Sequence, residues 1–178
     1  MTGEDTDDPV EEFPRPPRAL TDRNGREVTI DPADAADRDD LLAMYLDFDP
    51  ADRAQGIPPA NESAIEAWLD TILGEDCLNV VAHCNGNVVG HATLVPDRKD
   101  EHELAIFVLQ PFQGAGIGTH LVETLLGFGQ AEGLDRVWLT VERWNDPAIA
   151  LYRKVGFETV DAESFEIEMA ISLEYTHI

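Results

Sequence analysis

The sequence predicts one α/β domain built on a mixed (α+β), mostly antiparallel sheet that about four helices flank. The chain has 178 residues, of which 43% are hydrophobic, and this length and composition suit a single domain with its own core. Some segments repeat apolar residues with a helical period and others alternate like strands. Their order, β-α-α-β-β-β-α-β-α-β-β, is a meander followed by helical crossovers, which predicts strands of both directions.

The first elements are an arm, a strand and two helices. Residues 1–26 are acidic and then rich in proline, so we expect a flexible arm there and a folded domain over residues 27–178. A short strand over residues 27–30 comes first, and Asp31-Pro32 then opens a helix. A second helix begins at the Asn61 cap. The two helices place these residues on their apolar faces: Leu41, Met44, Tyr45, Phe48, Ile65, Trp68, Leu69 and Ile72.

The middle of the chain reads as a hairpin. Residues 78–84 and 87–95 are strand-like, and the Asn85-Gly86 pair between them suits a type I′ turn. A helix begins in the glycine-rich segment 114–118 and runs to Gln130, and a short helix extends from an Asn145 cap to Gly156. The remaining strands are predicted over residues 102–109, 136–142, 157–160 and 165–173.

Charge excludes several classes of function. Thirty-six acidic residues oppose twelve basic ones, and the formal net charge is -24. Nucleic acids and anionic membranes are bound through Lys and Arg, so neither is an expected partner. The longest apolar run, residues 104–109, is far shorter than the ~20 residues of a membrane span. The acidic N-terminus has no apolar stretch after it, so we do not expect it to be a secretory signal. We expect a cytoplasmic protein adapted to high salt, because excess charge is a halophilic feature.

The two cysteines predict neither a disulfide nor a metal site. Cys77 and Cys84, if they lie on one strand, are about 23 Å apart, which is too far for a disulfide. They also lack the Cys-x-x-Cys spacing of a zinc site. We expect buried free thiols and no metal.

The first motif with chemical meaning is the segment Gln113-Gly114-Ala115-Gly116-Ile117-Gly118, which follows an apolar strand and opens a helix. Glycines let the backbone come close to a ligand, and the new helix offers unpaired N–H groups, so the turn suits a diphosphate. Its spacing fits neither a Walker A loop, which would indicate a nucleotide-binding protein, nor the dinucleotide fingerprint.

The second motif runs from Asn145 to Phe157. Asn145 and Pro147 fix the start of a helix. Tyr152 lies two turns further on, so that it faces the same way as Asn145. A polar cap and a phenol can therefore address one ligand.

Together these motifs resemble those of the GCN5-related N-acetyltransferases, the GNAT family. The patterns are Gln-x-x-Gly-x-Gly and Asn-x-x-Ala-x-x-Leu-Tyr-x-x-x-Gly-Phe, and the resemblance covers residues 27–173. It implies that strands 102–109 and 136–142, the fourth and fifth of the predicted order, splay apart to admit the pantetheine arm of acetyl-CoA. The resemblance assigns coenzyme contacts to Phe107, Val108, Leu109, Gln113, Gly114, Ala115, Gly116, Ile117, Gly118, Thr119, Asn145 and Tyr152.

The implied reaction is direct attack of an amine on the acetyl thioester. Tyr152 is the family's usual acid for the leaving thiolate, and a backbone N–H near Phe107 or Val108 suits the developing oxyanion. The amine must lose a proton first, since a lysine pKa is ~10.4. Glu103 is the leading base, with His91 and Glu142 as alternatives.

We do not assign a role in the reaction to four basic residues near these positions. His102 points to the opposite face of a regular strand from Glu103. A solvated helix face explains Arg143, Arg153 and Lys154 better than contact with the coenzyme's 3′-phosphate does.

The acceptor is less clear than the coenzyme. The loop 49–60, with segments 102–108 and 138–144, looks like the GNAT branch that contains protein-lysine acetyltransferase domains. A protein lysine is therefore the leading acceptor, and a small amine or amino acid is the alternative. A non-catalytic acyl-CoA sensor is a rival that would have no need of Tyr152. A homodimer is a further expectation.

Overall fold

The computed structural model describes residues 12–48, 58–59 and 61–174. Its strands are β1 (Arg18–Thr21), β2 (Glu27–Pro32), β3 (Leu78–Cys84), β4 (Asn87–Pro96), β5 (His102–Val108), β6 (Arg136–Glu142), β7 (Glu158–Ala162) and β8 (Glu166–Ser172). Its α-helices are α1 (Arg38–Leu46), α2 (Glu62–Ile72), α3 (Ile117–Ala131) and α4 (Asp146–Val155). Short 3-10 turns occupy Ala35–Asp37 and Gln110–Phe112.

One sheet joins all eight described strands in the order β1-β2-β3-β4-β5-β6-β8-β7. Every pair is antiparallel except β5 with β6. That parallel pair is held only where His102 meets Val137 and Glu103 meets Trp138. Beyond Glu103 the two strands diverge. The predicted mixed, mostly antiparallel sheet, with its splay between these two strands, is confirmed.

The sheet is covered on both faces, as the alternation of β3 shows. Val80 and Ala82 belong to a core with α3 and α4, whereas Val81 belongs to a second core with α1 and α2. Alternate residues of a strand point to opposite faces, so each cluster lies on its own side of the sheet. Leu121 and Leu41, one from each core, are fully buried.

Local signals predicted the turns and caps correctly. Asn85 and Gly86 both have positive φ, 53° and 81°, as a type I′ turn requires. The Asn61 side chain accepts a hydrogen bond from the Ala64 amide at 2.8 Å and caps α2. Asn145 caps α4 in the same way. In contrast, Asp31-Pro32 does not open a helix, because β2 continues through Pro32 to pair with β3; α1 starts at Arg38, after a 3-10 turn.

The predicted arm is wrong for residues 12–26, which belong to the fold. Strand β1 pairs with β2 from Arg18 opposite Ile30 to Thr21 opposite Glu27. Phe13 is 4% exposed within the larger core, and its amide donates to the Gln130 side chain at 2.9 Å. A single buried phenylalanine and one edge-strand pairing thus hold a segment whose composition alone indicates disorder. The domain boundary at Glu27 is corrected accordingly.

Gly127→Ala tests this packing. A Cβ at Gly127 would overlap the carbonyl oxygen of Pro14 and lie 2.5 Å from its carbonyl carbon. Because that obstacle is backbone, the N-terminal segment must move, and we expect a loss of about 2 kcal/mol in the free energy of unfolding. Gly129→Ala, in the same helix, is the control, since its Cβ would meet only leucine side-chain ends at 3.3–3.4 Å. Denaturant melts that give equal stabilities for the two variants would contradict the packing.

Candidate active site

A cleft of about 790 Å³ opens where β5 and β6 diverge. Residues 103–108 of β5 form one wall, and residues 140–142 of β6 form the other. The glycine-rich turn and one face of α4 supply most of the remaining lining. Glu103 and Val108 are five residues apart, about 16 Å along the strand, so the cleft suits a long, thin ligand.

The glycine-rich turn supplies an anion-binding surface. Gly114 and Gly116 have φ values of +73° and +94°, in the left-handed region that favours glycine. Gly116 is the N-cap of α3 and provides no side-chain cap, so the first amides of the helix are left for a ligand. Gly116, Gly118 and Thr119 all line the cleft. The turn therefore fits a phosphate group.

Nine of the twelve residues predicted to contact the coenzyme line the cleft. Those that line the cleft are Phe107, Val108, Gln113, Gly114, Gly116, Gly118, Thr119, Asn145 and Tyr152. Leu109 lies outside it, and its N–H donates to the Val89 carbonyl at 2.9 Å. Ala115 and Ile117 are buried, 2% and 1% exposed, and do not line the cleft. The Gln113 side chain donates to the Val108 carbonyl at 2.9 Å and so ties the turn to β5.

Helix α4 presents Asn145 and Tyr152 to the cleft. Asn145 accepts from the Ala148 amide at 3.3 Å, which leaves its side-chain nitrogen able to donate. Tyr152 is 8% exposed, and its ring packs edge-on against Phe157, with centroids 5.7 Å apart. Burial raises the pKa of the Tyr152 phenol well above its usual value. The phenol is therefore protonated at physiological pH and can act as an acid.

Glu103 lies at the last paired position before the strands diverge. Burial, and then the negative charges of Asp97 and Glu166, raise the pKa of its carboxyl. Asp97 is fixed in place by the indole N–H of Trp138 at 2.8 Å. A carboxylate with a raised pKa is a stronger base, so the environment of Glu103 suits proton abstraction.

His91 is wrong as an alternative base. It is fully buried, and burial lowers the pKa of the imidazole to about 3. Asn79 donates from its nitrogen to the Ile72 carbonyl at 2.8 Å, so its oxygen accepts from His91 Nε2 at 2.7 Å. His91 Nδ1 then accepts from the Tyr45 hydroxyl at 2.6 Å. Both ring nitrogens are occupied, whereas Glu142 lines the cleft and stays an alternative.

Sequence reasoning missed three groups that line the cleft, Arg23, Phe48 and Lys154. Arg23 belongs to the segment that was expected to be flexible, and Lys154 was assigned to a solvated face. Phe48 follows the end of α1 and belongs to an aromatic cluster around Phe107. The cluster also includes Tyr45 and Trp68, each with its ring centroid 5.5 Å from that of Phe107. Helical spacing marked these rings as apolar, but only tertiary structure brings them together.

Four further predictions concern the acceptor loop, the two cysteines, metal binding and membrane-spanning helices. The acceptor loop 49–60 lies outside them, apart from Pro58 and Pro59. Cys77 and Cys84 are free thiols, but only Cys84 is buried as predicted, and Cys77 is half-buried. In the part of the chain that is described, no cluster of three or more His, Cys, Asp or Glu side chains could hold a metal ion. No helix there is long and apolar enough to cross a membrane.

Comparison with known families assigns the class of the protein. The model of the acetyltransferase (GNAT) family matches residues 39–157, which is more than half of the chain. The chain therefore belongs to the GNAT family of acetyltransferases, as the two motifs indicated.

Three similar proteins illustrate the range of the family. A mycothiol acetyltransferase from Saccharomonospora viridis is 34% identical over 68% of this chain and 41% of its own length. An L-methionine sulfoximine/L-methionine sulfone acetyltransferase from Pseudomonas aeruginosa is 29% identical over 74% of this chain and 80% of its own. The ribosomal-protein-S18-alanine N-acetyltransferase of Escherichia coli superposes with a TM-score of 0.66 at 25% identity, covering 84% and 96% of the two chains. This chain thus spans less than half of the mycothiol relative.

Proposed function

We propose that the protein transfers an acetyl group from acetyl-CoA to a primary amine by direct attack. The observation that carries the proposal is the cleft between the diverging strands. It has an anion-binding glycine turn at one end, Glu103 where β5 and β6 part, and a protonated Tyr152 along its wall.

The residues present fit the coenzyme. Acetyl-CoA supplies the acetyl group as a reactive thioester. The amides of Gly116, Gly118 and Thr119 would hold its pyrophosphate, since helix N-termini favour anions. The backbone groups of Val108 lie on the edge of β5 that faces the cleft and would hold the pantetheine arm like an added strand. Phe107 is removed from the predicted backbone contacts, because it pairs with His91 and its backbone groups face β4. Leu109 is removed from this set, because its N–H is already bonded to Val89.

Glu103 and Tyr152 divide the proton transfers between them. Glu103 takes a proton from the acceptor amine, directly or through water, and the nitrogen forms a bond to the acetyl carbon. A backbone N–H near Val108 stabilises the charge that develops on the carbonyl oxygen. Tyr152 donates its proton to the sulfur as the carbon–sulfur bond breaks. The amine loses one proton and the thiol gains one, so the step balances.

We infer that the acceptor is an α-amino group rather than a protein lysine. The α-amino group at the N-terminus of a peptide has a pKa of ~7.7–8.0, against ~10.4 for lysine. A carboxylate base therefore removes its proton more easily. The names of two similar proteins also point this way, one an acetyltransferase of an amino-acid derivative and the other of an alanine in a ribosomal protein.

An acceptor panel tests both parts of the proposal. Acetyl-CoA turnover would be measured in molar KCl with amino acids, polyamines, peptides that have a free N-terminus and no lysine, and lysine peptides that are blocked at the N-terminus. Mass spectrometry would locate the acetyl group. Turnover on lysine alone would restore the lysine acceptor. Binding of acetyl-CoA without turnover on any amine would favour the sensor.

Glu103→Gln is expected to lower kcat/KM about tenfold near neutral pH. In the wild type, activity should fall as the pH drops through the raised pKa of Glu103, because the protonated carboxyl cannot accept a proton. The variant should lack that dependence and recover as pH approaches the pKa of the amine, where solvent can take the proton. The measurement is a pH–rate profile from pH 5 to 10, with Glu142→Gln as the matched variant. A profile altered only by Glu142→Gln would make Glu142 the base.

We also propose that the enzyme works in the cytoplasm of a cell with high internal salt. The support is compositional, 36 acidic against 12 basic residues, because excess charge is a device of halophilic proteins. The same charge disfavours nucleic acid and anionic membranes as partners.

A further inference from the structure

The turn between β1 and β2 lies against the glycine-rich turn. The Arg23 amide donates to the Ala115 carbonyl at 2.9 Å. Its side-chain Nε lies 3.7 Å from the position that a Cβ at Gly116 would take. The charged Arg23 side chain thus lies beside the glycine-rich turn, where the absence of side chains leaves room for a phosphate. The family match begins only at residue 39, so this hairpin lies outside it.

Behind the glycine turn, a second cavity of about 280 Å³ adjoins the cleft. Four residues, Arg23, Gly116, Thr119 and Lys154, line both spaces. The remaining lining comes from the β1–β2 hairpin, the glycine-rich turn and the first turns of α3: Thr21, Asp22, Ala115, His120 and Glu123. The side cavity therefore continues the cleft past the glycine turn, between the hairpin and the end of α4.

Positive charge is concentrated there in a chain that has very little of it. The pKa of His120 is lowered by burial and then by the charges of Arg18, Lys154 and Arg23, with Glu123 opposing. These three cations are a quarter of the twelve in the sequence. Arg18 is engaged by Thr124 at 3.0 Å, whereas Arg23 and Lys154 are exposed and make no salt bridge to any residue of the described ranges.

Of the two acidic residues that line the side cavity, Asp22 is engaged within its own hairpin. Asp22 accepts from Arg26 Nε at 2.7 Å and from the amides of Asn24 and Arg26, both at 2.9 Å. Glu123 lies 3.7 Å from His120. The guanidinium of Arg26 also lies over the Phe112 ring, 4.4 Å from its centroid. These contacts fix the hairpin turn to the segment before the glycine turn, so Arg23 is held on a fixed support.

We propose that Arg23, with Lys154, binds a phosphate group at the nucleotide end of acetyl-CoA in the side cavity, and that the N-terminal hairpin is therefore part of the coenzyme site. The assignment rests on the proposed function, since it presumes that acetyl-CoA is the ligand. Charge-assisted bonds from a guanidinium to phosphate are strong and geometrically specific. Both the pyrophosphate and the 3′-phosphate offer this chemistry.

The first test compares three acetyl donors with and without Arg23. Arg23→Ala should raise KM for acetyl-CoA about tenfold and change kcat less than twofold, because the side chain touches no reacting atom. With S-acetylpantetheine, which has no phosphate, wild type and variant should be alike. If 3′-dephospho-acetyl-CoA also removes the difference, the 3′-phosphate is the partner; if the difference persists, the pyrophosphate is. Arg23→Lys should recover part of the loss.

The controls separate this inference from the proposed function. Arg15→Ala removes an exposed arginine from the same segment, away from both cavities, and should leave KM unchanged. Calorimetry with CoA alone gives a readout that needs no acceptor. A wild type that binds no CoA would overturn the proposed function and this assignment together. A wild type that binds CoA while Arg23→Ala binds it equally well would overturn this assignment alone. An equal loss with S-acetylpantetheine would also overturn it, since that result indicates a structural effect.

Discussion

Replacing Tyr152 with phenylalanine is expected to lower kcat about 100-fold, with the Kd of acetyl-CoA nearly unchanged. A tyrosine phenol has a usual pKa of ~10, and burial raises the pKa of Tyr152 further, so the side chain carries its proton at every physiological pH. The substitution keeps the ring and its edge-on packing against Phe157 and removes only the proton that the departing sulfur needs. A loss in kcat without a loss in binding is the signature of an interaction made in the transition state.

Tyr45→Phe is the matched control for this prediction. It deletes the same hydroxyl from another buried tyrosine, whose partner is His91 at 2.6 Å, outside the residues that line the cleft. It should cost about 1–3 kcal/mol of stability by leaving the imidazole unsatisfied, while kcat stays within twofold. Single-turnover kinetics would show whether chemistry limits the rate. Wild-type rates for Tyr152→Phe under such conditions would remove Tyr152 from the mechanism.

The sequence predicted well those features that depend on residues close together in the chain, such as turns and helix caps. The Asn85-Gly86 turn and the caps at Asn61 and Asn145 depend on backbone conformations that those residues favour themselves, and all three are present. The gap between β5 and β6 is a tertiary feature. It was predicted only because the glycine motif and the Asn145–Tyr152 motif together resemble a family with that splay.

What the sequence predicted poorly depends on distant contacts. The pairing of β1 with β2 and the burial of Phe13 are invisible in a segment that reads as acidic and proline-rich. His91 has the right chemistry for a base, but it is buried and both of its ring nitrogens are hydrogen-bonded, to Tyr45 and Asn79, so it cannot accept a proton from the substrate. A motif also identifies a segment and not the direction of each group, which is why the backbone N–H of Leu109 is turned away from the cleft.

Salt is expected to change stability more than any single substitution considered above. Thirty-six acidic and twelve basic residues give a net charge of -24, and like charges on the compact surface repel one another more than they do in the unfolded chain. The Debye length is ~30 Å at 0.01 M salt and ~3 Å at 1 M, so high salt removes most of this repulsion. A gain of several kcal/mol corresponds to a rise in Tm of at least about 10 °C. Sulfate should raise it further by strengthening apolar burial.

The informative measurement is a series of thermal melts in KCl from 0.05 to 3 M, on the full chain and on a chain without residues 1–11. That truncation removes five of the 36 carboxylates, Glu4, Asp5, Asp7, Asp8 and Glu11, and keeps Phe13 and β1, which a cut at Glu27 would destroy. Since 31 carboxylates remain, the shortened protein should keep most of the salt response if the folded surface is its source. A response that disappears with the truncation would assign it to the N-terminal segment. A Tm that is flat across the series would contradict halophilic adaptation and leave the family assignment as it stands.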